Sequence, residues 1–70
     1  MKHTVFGVYT IDENWITVFS NDTIYTIARN SGDWGSITVG DVAAGGGILT
    51  QEAYNEMASK AERVGTIVLN

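Results

Sequence analysis

The chain has 70 residues, no cysteine, one histidine and a net charge of −4, from four basic and eight acidic side chains. Disulfides, thiolate zinc sites and histidine clusters are therefore excluded. Lys2, Arg29, Lys60 and Arg63 are too few to track a phosphate backbone, so direct nucleic-acid binding is not expected, and eight carboxylates are too sparse to imitate DNA.

An apolar content of 44% is ordinary for a folded chain. No apolar run approaches the length of a membrane span, and the N-terminus lacks the pattern of a secretory signal. With no cysteine, these features fit a reducing, cytoplasmic setting. Residues 1–70 are expected to form one small domain. A domain this size has a thin hydrophobic margin, and without a disulfide or metal it gains from a partner subunit.

Residues 3–39 are rich in Thr, Val, Ile and aromatics, broken by short polar clusters. That pattern predicts four strands, at 3–10, 15–20, 23–29 and 34–39, joined as an antiparallel meander. Residues 40–49, with three consecutive glycines, predict a flexible connector. Thr50 then suits a helix N-cap, with Gln51 and Glu52 in the first turn. Ala53, Met57, Ala61 and Val64 continue as an apolar stripe, and Gly65 suits a left-handed helix end. Residues 66–69 predict a last short strand, placed beside the first. The expected class is α+β: an antiparallel four-stranded meander, one helix of about fourteen residues on one face, and a C-terminal strand, in the order ββββαβ.

Turn lengths predict the faces. A two-residue loop at Asn21-Asp22 pairs Phe19 with Ile24 and Val18 with Tyr25. A three-residue loop at Asn30-Ser31-Gly32 pairs Arg29 with Asp33. Ile16, Val18, Tyr25, Ile27, Ile37 and Val39 then form the core beneath the helix. Trp15, Phe19, Ile24 and Trp34 fall on the other face, which one helix cannot also cover. The first strand is ambiguous, sending inward either Phe6 and Val8 or Val5 and Tyr9.

The second face is the candidate site. Trp15, Phe19, Ile24 and Trp34 would form a docking patch for a protein partner, since tryptophan is enriched at binding hot spots. Asp12, Glu13 and Asp33, in turns at one end of the meander, would rim it and favour a basic partner. The alternative is a small second core, closed by the 40–49 connector, strand curvature or a second copy. Paired carboxylates can also serve acid–base work or a hard cation, but no basic residue or second ligand stands beside them in sequence, and turns favour Asp by themselves. The glycine run before the helix lacks the Lys and Ser/Thr of a phosphate loop. His3 has no nucleophile at telling spacing. No catalytic residue, metal site or cofactor is expected.

In size, acidity and lack of motifs the chain resembles the small inhibitors encoded by phages and mobile elements, including anti-CRISPR proteins. The resemblance is of general character and transfers no site. It implies a non-enzymatic protein-binding module that inhibits a larger protein. The alternative is a homo-oligomeric accessory protein, a homodimer for example, whose aromatic face is buried against itself.

Overall fold

The computed structural model describes residues 2–70. Its elements are β1 (His3–Ile11), β2 (Trp15–Ser20), β3 (Thr23–Ala28), β4 (Trp34–Thr38), α1 (Gln51–Ser59) and β5 (Arg63–Leu69). The strands form one antiparallel sheet in the order β4-β3-β2-β1-β5, so the last strand does lie beside the first. This is an α+β architecture, and its ββββαβ order is the predicted one. No helix among the described residues is long and apolar enough to cross a membrane.

The hairpin chemistry explains the registers. Asn21 and Asp22 both have positive φ, 50° and 61°, which is the two-residue turn whose twist matches the strands. Phe19 accordingly pairs with Ile24 and Val18 with Tyr25, as expected. At the first turn Asp12 Oδ1 accepts from the amides of Asn14 and Trp15, at 3.0 and 2.8 Å. This closes a two-residue loop and sets Tyr9 opposite Val18. Val5 and Tyr9 therefore share the Val18 face, which resolves the ambiguity of the first strand.

The third hairpin departs from expectation. Ala28 N donates to Asp33 O and Gly32 N to Ala28 O, both at 2.8 Å, so the loop has four residues, Arg29 included. Gly32 supplies the positive φ (78°) as expected. The extra residue shifts the register by one and pairs Ile27 with Trp34. Because side chains alternate, every residue of β4 changes face. Arg29 does not pair with Asp33; its guanidinium donates to Asp12 O at 2.6 Å and its amide to Asn14 O, tying the first and third turns together.

The sheet curls. Five strands laid flat would set β4 and β5 about 19 Å apart, at roughly 4.8 Å per strand. Yet Trp34 Nε1, on β4, donates to Asn70 O, just past β5, at 2.8 Å. Leu69 of β5 joins Val5, Val18 and Ile27 in one buried cluster, with Tyr9, Ile16, Tyr25 and Ile67 packed against it. The inner face of the curled sheet is thus a core closed by the sheet itself.

Glycine permits this bend. A Cβ on Gly7 would lie 2.2 Å from the backbone oxygen of Phe19. Opposite Gly7 stands Gly65, and the Tyr9 ring lies over it, 3.2 Å from where its Cβ would be. Gly65 is therefore a strand residue and not the end of the helix.

The outer face holds the second core. Phe19, Ile24, Leu49 and Tyr54 are buried together, flanked by Val8, Ile37, Val39, Ala53, Ala58 and Ala61. The Phe19 and Tyr54 rings meet edge-to-face at 5.8 Å. Burial holds the Tyr54 hydroxyl pKa above its usual value of 10; Asp22 acts both ways, its backbone lowering and its charge raising it. Contacts of the helix thus fall on the Phe19 side, not the predicted Val18 side. The helix has nine residues: Thr50 Oγ1 accepts from Ala53 N, and after Ser59 the amides of Lys60 and Ala61 turn back to Met57 and Ala58. The segment 40–49 is hydrogen-bonded along its length, with Gly40 N donating to Leu49 O, Leu49 N to Asp41 O and Ala43 N to Gly47 O. It delivers Leu49 to the outer core.

Gly7→Ala is expected to cost about 1–3 kcal/mol or more, because the added methyl meets backbone rather than a movable side chain. For a chain this short, each kcal/mol lowers the melting midpoint by about 4–8 °C. An unchanged midpoint in a thermal melt would contradict the close β1–β2 approach.

Candidate docking site on the outer face

The predicted site residues divide among three places. Phe19 and Ile24 are 5% and 7% exposed and belong to the outer core, so the expected exposure of these two is corrected. Trp15 and Trp34 do not share a face, because the shifted register of β4 turns Trp34 to the inner side. Asp12, Glu13 and Asp33 are exposed at the same end of the sheet, as the turn positions predict.

Trp34 is a closing residue. Its ring is near-parallel to that of His3, with centroids 6.2 Å apart and 9° between planes, and it lies 6.0 Å from Tyr25. His3 and Tyr25 stack in turn at 6.1 Å. These three rings cap the open end of the inner core, so His3 is part of an aromatic cluster and not an isolated strand residue. The indole N–H is consumed by Asn70 O.

Trp15 is different. It stands on the outer face, 48% exposed, opposite Ala28. The next row on this face, toward Phe19, is Thr17, Thr26 and Gly35, all small. The indole therefore rises as a ridge between two shallow hollows. One, of about 360 Å³ and open to solvent, is lined by Trp15, Thr26, Ala28, Ser31, Asp33 and Gly35, with the edge of Trp34. The other is lined by Asp12, Trp15, Thr17 and Thr26. Each hollow thus has one carboxylate beside the indole. Glu13 lies in the adjoining turn and lines neither hollow.

The Asp12 carboxylate already accepts two amide hydrogen bonds through Oδ1. A carboxylate has further lone pairs free to accept from a ligand. Asp33 accepts no side-chain hydrogen bond among the described residues. Thr17, Thr26 and Gly35 escape a reading for chemically active residues, since they matter for being small. Only the register reveals them as the floor around Trp15.

No three of His, Cys, Asp and Glu gather to hold a metal ion among the described residues. Compared with protein-family models, curated proteins and solved structures, the chain matches none.

The two tryptophans should respond differently to truncation. Trp34→Ala is expected to cost about 2 kcal/mol or more, through lost packing of its ring against Tyr25 and His3. Trp15→Ala is expected to cost less than about 1 kcal/mol, as for other surface positions. Chemical denaturation of both variants decides it; equal losses would contradict the division of roles.

Proposed function

We propose that this chain is a non-enzymatic protein-binding module that docks a basic segment of a larger protein on its Trp15 ridge. The observation behind this reading is a half-exposed indole on a floor of small residues with a carboxylate in the hollow on each side. An indole face attracts a Lys or Arg side chain by cation–π interaction, worth about 0.5–1 kcal/mol at an exposed site and about 2 when desolvated. Asp12 and Asp33 add charge-assisted hydrogen bonds to the same cation. A net charge of −4 steers such a partner toward the surface. The shallow hollows suit side chains of a partner better than a small molecule, which needs a deep concave pocket. Blocking a basic surface of its target is the action we propose, in line with the small inhibitors that the chain resembles in size and acidity.

The second reading, a homo-oligomer buried through a two-tryptophan face, is less favoured, because the β4 register turns Trp34 inward and only its edge reaches the hollow beside Trp15.

Capture from host-cell extract on the immobilised chain tests the proposal. Trp15→Ala and the double variant Asp12→Asn/Asp33→Asn are expected to reduce capture of a specific partner by about tenfold or more, equivalent to about 1.4 kcal/mol. Asn at position 12 keeps the acceptor that closes the turn, so the charge alone is removed. Undiminished capture by the Trp15→Ala variant would sink the reading.

A further inference from the structure

A separate surface on β1 and β5 points to a specific partner. The outer face of this ribbon presents Thr4, Phe6, Val8 and Thr10 from β1, and Val64, Thr66 and Val68 from β5. None is charged. Phe6, Val64 and Val68 are 65%, 66% and 52% exposed. Phe6 pairs with Thr66, so Val64 and Val68 are its two diagonal neighbours and the three form one patch. Contiguous exposed apolar groups of this kind mark interaction surfaces.

The patch lies along a free sheet edge. β5 pairs with β1 alone, and no other backbone hydrogen bond reaches Arg63–Leu69 among the described residues. Such an edge presents a row of unpaired amides and carbonyls. Proteins that stay apart blunt it with Lys, Pro, a bulge or a covering loop. β5 has seven residues, no Pro and no Lys, and its single charge, Arg63, stands at its first position. The other edge is blunted: β4 has five residues, and the Thr38 amide is occupied by Asp41 Oδ2 at 3.0 Å.

We propose that β5 pairs antiparallel with β5 of a second copy, about a two-fold axis at Thr66, joining two five-stranded sheets into one. This is independent of the Trp15 reading and uses other strands. The register follows from symmetry. A two-fold axis perpendicular to the sheet must set outer-face residues against outer-face residues, so the two numbers in each pair sum to an even value. Centring on Thr66 sets Thr66 against its own copy and Val64 against the copy's Val68, twice. Both are favoured cross-strand pairs. The strand is thus complementary to itself, and with only one charge, at its first position, it opposes like charges nowhere between Val64 and Val68. A basic or acidic partner would find no counter-charge here, which is why a second copy is the occupant.

Sedimentation velocity on the full chain tests this, with charge swaps to check the register. The wild type is expected to sediment with the mass of two chains at about 0.5 mM, a concentration that reveals even a small, weak interface. Val64→Lys/Val68→Lys sets lysine against lysine and is expected to weaken the dimer by at least about tenfold. Val64→Lys/Val68→Glu sets lysine against glutamate across the axis and is expected to restore it. These positions are exposed, and far-UV circular dichroism and melting confirm that each variant is folded. Because the chain has no cysteine of its own, Thr66→Cys adds a clean readout. Residues paired across strands stand about 4.5–5.5 Å apart between Cα atoms, within disulfide reach. Thr66→Cys should cross-link under mild oxidation about tenfold or more faster than exposed Ser31→Cys. A monomeric wild type at about 0.5 mM would overturn the proposal. So would dimers that ignore the lysine pair, or a Thr66→Cys variant no faster than the control.

Discussion

The hydrogen bond from the Trp34 indole to the Asn70 carbonyl joins the two ends of the sheet, and the rest of the structure depends on the curl that brings them together. A flat sheet of five short strands has two faces to cover, and this chain has one nine-residue helix. Curling lets the inner face cover itself: Leu69 reaches Val18 and Ile27 across the hollow, and His3, Tyr25 and Trp34 stack over its end. The helix and Leu49 are then free to serve the outer face, where Phe19 and Ile24 need cover. Gly7 and Gly65 belong to the same constraint, since a side chain on Gly7 would meet the Phe19 backbone and one on Gly65 would press on the Tyr9 ring.

Once both cores are accounted for, the apolar residues that remain on the surface become informative. Trp15 has no structural duty comparable to that of Trp34: its indole makes no hydrogen bond among the described residues, and it sits on small neighbours between Asp12 and Asp33. Phe6, Val64 and Val68 likewise belong to neither core cluster and border a strand that pairs with β1 alone among the described residues. A 70-residue chain without a disulfide has little stability to spare, so strands of six to nine residues that expose Trp, Phe and Val are better explained by partners than by the fold. The two surfaces use different strands, so a pair of chains joined along β5 would still present two Trp15 ridges.

Much of the architecture was legible in the sequence because local chemistry dictates it. Asn21-Asp22 accepts the left-handed backbone that a two-residue hairpin requires, and Thr50 is a capping residue, so the β2–β3 register and the helix start follow directly. The third turn was not legible, because Gly32 suits a three-residue and a four-residue loop equally. Pairing Arg29 with Asp33 favours the shorter loop, but an exposed ion pair has little energy, and Arg29 instead bonds to the neighbouring turn. That one residue carried Trp34 to the other face and dissolved the expected tryptophan row. The face that the helix covers is hidden in the sequence for a different reason. Both faces are apolar enough for a core, and curvature depends on Gly7 and Gly65, whose role is visible only once they stand opposite each other. The acids of the first and third turns share one end of the sheet, which the sequence shows because alternate hairpins of a meander do so.

The closure of the sheet is best tested by nuclear Overhauser spectroscopy on the isolated chain. Cross-peaks between the Trp34 indole protons and the ring protons of His3, three strands away in sheet order, are the predicted result, with the indole N–H protected from solvent exchange. A freely exchanging Trp34 indole, showing contacts to β3 alone, would mean an open sheet and would contradict the account.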